Sequence, residues 1–184
     1  MSTTPEEAWR VYRQADCLHT APQIEAALDR MAQEITAKIG DKNPLVLCVM
    51  TGALIPAAQL LLRLNFPLEI DYLHATRYGK ATSGGELQWI ARPRQALRDR
   101  VVLLVDDILD EGRTLAAIVE DCQRAHAGAI YTAVLVTKDR TRDTLQNADF
   151  NGLMVPDRYV FGYGMDYKGY LRNIAGIYAV KEHG

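Results

Sequence analysis

The sequence predicts an α/β domain with a mainly parallel sheet, and three observations lead there. Apolar runs of strand length alternate with segments of helical period along most of the chain, the pattern of successive strand–helix–strand units. Two of the runs, Leu45 to Met50 and Val101 to Val105, are apolar throughout, as strands buried on both faces must be. Polar residues follow such runs: Thr51, Asp106 and Lys138 each stand just past a predicted strand, and ligands of open α/β sheets sit at the carboxyl ends of the strands.

Each element has its own signal. Pro5 to Arg13 reads as a short amphipathic helix. Thr20 with Gln23 three residues on fits a capping box, and Pro22 suits a first turn. Ile24, Leu28, Met31, Ile35 and Ile39 then recur at helical spacing until Gly40. Asn43-Pro44 breaks the chain before the strand Leu45 to Met50. Thr51-Gly52 makes a turn, and Leu54 to Leu64 reads as a helix with Pro56 in its first turn. Leu68 to His74 is a second strand, with Leu68, Ile70 and Tyr72 on one face. Thr76 to Glu86, rich in Gly, Ser and Thr without apolar periodicity, reads as a mobile surface loop. Leu87 to Ala91 is a short strand. Arg92, Arg94, Arg98 and Arg100 form a basic connector, ordinarily a solvated face. Val101 to Val105 is a strand, Leu115, Ile118, Val119 and Cys122 mark a helix ending near Gly128, and Ala129 to Thr137 is a further strand. Short strands and turns complete the chain, among them Pro156-Asp157 and Phe161-Gly162.

At 184 residues the chain has the length of one domain, expected to span 1–184. Its 48% hydrophobic and 24% charged content is that of a globular protein. A net charge of −2 gives no general reason to expect nucleic acid as a partner. Cys17, Cys48 and Cys122 form no CxxC pair and read as free thiols of a reducing compartment. MSTTPEEAWR lacks a secretory pattern, and no apolar run approaches the ~20 residues of a membrane helix. A cytoplasmic location without membrane partners is expected.

The chemistry concentrates in VVLLVDDILDEGRTLAAI, starting at Val101. Asp106, Asp107 and Asp110 follow an apolar strand, with Glu111 beside them, and Gly112, Arg113 and Thr114 open a helix. Helix N-termini carry unpaired N–H groups and the positive end of the dipole, which suit phosphate. Gly112 permits a tight turn and close backbone approach. Carboxylates accept hydrogen bonds from sugar hydroxyls or hold a hard cation. A ligand bearing both hydroxyls and phosphate, such as a phosphorylated ribose, fits that combination. Adjacent strand residues point to opposite faces, so Asp106 and Asp107 share a ligand only if the backbone turns between them.

This segment resembles the ribose-phosphate signature of the type I phosphoribosyltransferases. PDRYVFGYGMDYKGYLRN, from Pro156, narrows the resemblance to the hypoxanthine-guanine branch. The likeness runs from about Leu45 to Tyr178. It implies a twisted, mainly parallel sheet flanked by helices, with a small hood from about 1–20 and 150–184 and a mobile lid at about 76–86. It also implies transfer of the phosphoribosyl group from phosphoribosyl pyrophosphate to hypoxanthine or guanine, giving IMP or GMP and pyrophosphate, with Mg2+ as cofactor and a homodimer or homotetramer as the assembly.

The resemblance assigns roles residue by residue. Asp106 and Asp107 hold the ribose hydroxyls beside magnesium, and Asp166 lies near a second magnesium and the base. Asp110, Glu111, Gly112, Arg113 and Thr114 surround the 5′-phosphate, and Asp110 manages the purine N7 proton. Lys138, in itself an ordinary strand-end lysine, donates to the purine 6-oxygen. Tyr159 stacks on the base, and the Val160 backbone meets its edge. Thr51, Gly52 and Arg172 take the pyrophosphate, and Arg77 and Tyr78 belong to the lid. Four positions depart from the family pattern: Thr51 replaces Lys or Arg, Arg77 replaces Ser, Asp106 replaces Glu, and Glu111 replaces a hydroxyl residue and brings a negative charge near the phosphate. Two alternatives stand beside this reading: an RNA-binding regulator on the same fold, motivated by the arginines from Arg92 to Arg100, and a xanthine- or adenine-preferring relative.

Overall fold

The computed structural model describes residues 3–77, 87–139 and 147–181. Helix α1 (Pro5–Gln14) starts where the Thr4 side chain accepts the Glu7 N–H at 3.2 Å, with Pro5 in the first turn. Strand β1 (Asp16–His19) follows. Helix α2 (Ala21–Ile39) opens on the predicted signal: the Thr20 N–H donates to Gln23 Oε1 at 2.9 Å. Its five periodic residues, Ile24, Leu28, Met31, Ile35 and Ile39, are all buried.

The large sheet holds β2 (Leu45–Met50), β3 (Glu69–Arg77), β4 (Leu87–Ala91), β5 (Val101–Leu109), β6 (Ala129–Asp139) and β7 (Phe150–Pro156), in the order β4-β3-β2-β5-β6-β7. All neighbours run parallel except the β3–β4 pair. The apolar runs of β2 and β5 lie in the centre, and Leu45–Val49 and Val102–Val105 are buried. Helix α3 (Leu54–Leu61) packs on β2 and β5, α4 (Arg113–Arg124) on β3 and β6, and α2 on β6 and β7. A smaller antiparallel sheet of β1, β8 (Val160–Phe161) and β9 (Ile177–Ala179), ordered β1-β9-β8, joins the two ends of the chain.

Several boundaries differ from expectation. β5 runs to Leu109 and β6 to Asp139, so Asp106, Asp107 and Lys138 lie within strands rather than past them. The two strands remain paired to Leu109↔Thr137, which carries the acidic residues along in register. Helix α3 ends at Leu61, not Leu64. β7 joins the large sheet, so the part of 150–184 up to Pro156 belongs there. The face of β3 bearing Ile70 and Tyr72 is the exposed one. Asp71, Leu73 and Ala75 are buried instead, and Asp71 accepts the N–H groups of Tyr72, Arg94 and Gln95. Thr76 and Arg77 end β3, while Tyr78 and the rest of the predicted lid lie outside the described residues.

Two arginines of the basic connector have acidic partners. Arg92 pairs with Asp121 at 2.8 Å and lies over the Trp89 ring, and Arg100 pairs with Glu69 at 3.2 Å. That is the behaviour of a structural, solvated face.

Candidate active site

Two adjoining cavities open where β5 and β6 end. The first, about 380 Å³, is lined by every residue from Asp106 to Leu115, with Met50 and Gly52 opposite. The second, about 230 Å³, is lined by Lys138, Tyr159, Val160 and Asp166, together with Met165 and Ile108. Asp107 and Asp110 belong to both. The two motifs read from sequence therefore meet at two shared carboxylates.

Both aspartates of the pair reach the first cavity although the strand continues through them. Each folds back on the next peptide: Asp106 Oδ1 accepts the Asp107 N–H at 2.9 Å, and Asp107 Oδ1 accepts the Ile108 N–H at 2.8 Å. Burial, followed by the adjacent Asp107 charge, pushes the Asp106 carboxyl well above the usual carboxylate range. Burial also raises Asp107, against the opposing pull of the Arg172 guanidinium.

Beyond Leu109 the chain bends through Asp110 and Glu111 to Gly112, which caps α4 at φ 74°. This left-handed conformation suits glycine, and the first-turn residues Arg113, Thr114 and Leu115 line the cavity with it. The Glu111 carboxylate turns to Arg113, whose Nε lies 2.9 Å from Glu111 Oε2, so the departure at Glu111 carries its own counter-charge.

Lys138, at the end of β6, reaches Asp110 Oδ2 at 3.2 Å and Asp157 Oδ1 at 3.4 Å. Tyr159 is 51% exposed, with its ring edge-on to Tyr167 at 5.6 Å. Asp166 Oδ1 pairs with Arg172 Nη2 at 2.9 Å, and Arg172 Nη1 donates to the Gly164 carbonyl at 2.7 Å. Thr51, after the cis Met50–Thr51 peptide, is exposed, and neither it nor Arg172 lines the cavities.

Gly52 is held on two sides. A Cβ there would lie 1.8 Å from Asp107 Oδ2, and one on Gly164 would lie 2.0 Å from the Gly52 carbonyl. The turn after β2 thus rests between the acid pair and the C-terminal segment. Sequence reasoning missed Gly164, although its spacing from Gly162 in FGYGMD offered a signal. It also missed Met165, Ile108 and Asp157, for which nothing in the local pattern speaks.

Asp106 and Asp107 fit a cation, since a buried and a half-buried carboxylate side by side gain from one. Among the described residues no three His, Cys, Asp or Glu side chains form a metal cage, and Asp166 is turned to Arg172. Magnesium commonly takes only one or two carboxylates, with substrate phosphates and water completing its shell.

A parallel sheet with an acid pair and a helix N-terminus at its carboxyl edge, beside a small antiparallel sheet carrying a second cavity, is the type I phosphoribosyltransferase fold. The family model described as "Phosphoribosyl transferase domain" matches residues 14–168. The chain is 34% identical to the hypoxanthine-guanine phosphoribosyltransferase of Bacillus subtilis over 86% of its length and 89% of that protein's. It is 32% identical to the hypoxanthine-guanine-xanthine phosphoribosyltransferase of Tritrichomonas foetus, over 90% and 91%. The bifunctional protein TilS/HprT of Listeria innocua is 33% identical, and there the match spans 25% of the longer protein. Among solved structures, a hypoxanthine phosphoribosyltransferase from Staphylococcus aureus superposes with a TM-score of 0.87 at 26% identity, over 92% of this chain and 94% of that one. The chain belongs to the phosphoribosyltransferase family, in its hypoxanthine-guanine branch.

Proposed function

We propose that the protein transfers the 5-phosphoribosyl group of phosphoribosyl pyrophosphate to hypoxanthine or guanine, releasing pyrophosphate and forming IMP or GMP, as a purine salvage enzyme. The observation that carries this reading is the meeting of a phosphate-type cavity and a lysine-and-tyrosine cavity at Asp107 and Asp110. A sugar phosphate in the first and a base in the second would bring C1 of the ribose to the purine nitrogen.

In this reading the first-turn amides of α4, with Gly112 and Thr114, bind the 5′-phosphate. Glu111 and Arg113 neutralise each other beside it. Asp106 and Asp107 accept from the ribose hydroxyls, and their negative charge tolerates the positive sugar ring as the bond to pyrophosphate breaks. The Gly52 turn, with Thr51 and Arg172, receives the pyrophosphate. Asp106 and Asp107 would hold magnesium, with Asp166 near a second ion, and the metal would supply counter-charge to the leaving group.

In the base cavity Lys138 exchanges part of its contact with Asp110 and Asp157 for the purine 6-oxygen. A donor at that place matches a 6-oxo group and opposes the 6-amino group of adenine. Tyr159 stacks on the ring, the Val160 backbone meets its edge, and Asp110 takes the N7 proton.

The ion pairs of Arg92 and Arg100 disfavour an RNA-binding role. Three free thiols support a reducing, cytoplasmic location, and among the described residues no helix is long and apolar enough to cross a membrane. The exposed Ile70, Tyr72 and Ile90 of the β3–β4 hairpin support assembly as a homodimer or homotetramer. The test is pyrophosphate release in the presence of phosphoribosyl pyrophosphate, Mg2+ and hypoxanthine or guanine. Turnover should require all three, and no turnover with any purine overturns the reading.

A further inference from the structure

All of helix α1 but its last residue precedes the stretch matched by the family model, which begins at residue 14. Its side chains nevertheless reach the base-binding end of the molecule. Glu7 Oε1 accepts from the Tyr167 hydroxyl at 3.2 Å and from Lys168 Nζ at 3.1 Å. Both donors sit on a tight reverse turn, closed by paired backbone hydrogen bonds between Tyr167 and Tyr170. Lys168 and Gly169 occupy the left-handed region there, at φ 47° and 90°. For lysine that conformation is uncommon and persists only where the surroundings hold it.

This turn carries two side chains of the base cavity. The Lys168 N–H donates to the Tyr159 hydroxyl at 3.4 Å, and the Gly169 N–H donates to Asp166 Oδ2 at 2.6 Å. A chain of aromatic contacts makes a second link to α1. Tyr159 meets Tyr167 edge-on, Tyr167 meets the fully buried Phe161 at 6.3 Å, and Phe161 meets Tyr12 of α1 at 6.4 Å. Tyr159 is half exposed, so burial alone does not fix its ring.

We propose that α1 positions the purine-binding side chains: the Glu7 carboxylate fastens the Tyr167–Lys168 turn, and through it sets Tyr159 and Asp166 before the base arrives. Glu7 is a positioning residue and touches no substrate. The inference rests on the reading of Tyr159 and Asp166 as base-contacting residues. Its consequence is selective: loosening the turn weakens the base and leaves the sugar-phosphate side intact, because no residue of the turn lines that cavity and Asp166 keeps its own pair with Arg172.

Steady-state kinetics of the full chain separate the possibilities. Glu7→Ala should raise the purine KM between about threefold and about thirtyfold, short of the ~100-fold that a 1 Å misplacement can cost. The KM for phosphoribosyl pyrophosphate, and kcat at saturating base, should stay within twofold. Glu7→Gln keeps an acceptor for the Tyr167 hydroxyl and should recover part of the loss. Tyr167→Phe removes that hydrogen bond from the other side while keeping the ring. It should reproduce part of the effect and add little when combined with Glu7→Ala; it also serves as the test if Glu7→Ala does not fold. Equal rises in both KM values, or an unchanged purine KM in Glu7→Ala or Tyr167→Phe, overturn the proposal. Tyr159→Ala separates the two levels of inference. If it raises the purine KM and Glu7→Ala does not, only the fastening fails; if it leaves the purine KM unchanged, the base-site reading fails and the proposal with it.

Discussion

Gly52→Ala probes the junction of the two cavities through one methyl group. The added Cβ would stand 1.8 Å from Asp107 Oδ2 and 2.4 Å from its Cγ, where unstrained carbon contacts begin near ~3.5 Å. Retreat of the turn is blocked on its other side, since the Gly164 backbone lies against the Gly52 carbonyl. The Asp107 carboxylate must therefore swing away by roughly 1.5 Å, weakening its hold on the Ile108 N–H. A displacement of about 1 Å in a positioning group can cost ~10²-fold in rate, or about 2.7 kcal/mol of transition-state stabilisation. We expect kcat/KM for phosphoribosyl pyrophosphate to fall at least ~100-fold, with ~1–3 kcal/mol lost from folding through the broken hydrogen bond. Steady-state pyrophosphate release and urea denaturation measure the two effects. A variant with kcat/KM within threefold of the parent and unchanged stability would refute the placement of Asp107 against the turn.

Three further variants test separate roles. Asp110→Asn should lower turnover by about 10²–10⁴-fold, with the Kd for phosphoribosyl pyrophosphate changed only a few-fold; equilibrium binding beside a turnover assay tests this, and unchanged turnover removes the proton-handling role. Lys138→Met removes a charged donor worth ~1.5–3 kcal/mol, so kcat/KM for hypoxanthine should drop roughly 10- to 150-fold, and a parent-like value would exclude Lys138 from the base site. Asp106 gives a pH signature. Its carboxyl titrates above the usual range in the folded chain, so its protonated form stabilises folding fully below the unfolded value of about 3.9, and that stabilisation is lost as pH rises through the folded value. The ligand-free Tm should therefore decline with rising pH above about 4. Asp106→Asn should flatten the decline and raise Tm at neutral pH, and an unaltered slope would contradict the burial argument.

Particular residues show what could be read from the sequence. The strand Leu45–Met50 appears with the bounds expected, because an apolar run between strong turn signals leaves little freedom. The strand holding Asp106 and Asp107 was expected to stop early, since aspartate is disfavoured in strands. Pairing with β6 keeps them in register, and each side chain satisfies the next N–H. Contacts between distant segments left no local trace. Lys138 and Asp157 meet across 19 positions, and Glu7 and Tyr167 across 160. The direction of Glu111 likewise depended on where the α4 cap places Arg113.

The central claim is that a 6-oxopurine is joined to a phosphoribosyl group at the junction of these cavities. Its most direct test offers hypoxanthine, guanine, xanthine and adenine together, at equal concentration, with limiting phosphoribosyl pyrophosphate and Mg2+, and follows the nucleotides formed. The account predicts IMP and GMP as the main products, and no adenine nucleotide. Adenine nucleotide as the main product, or no nucleotide at all, would contradict it.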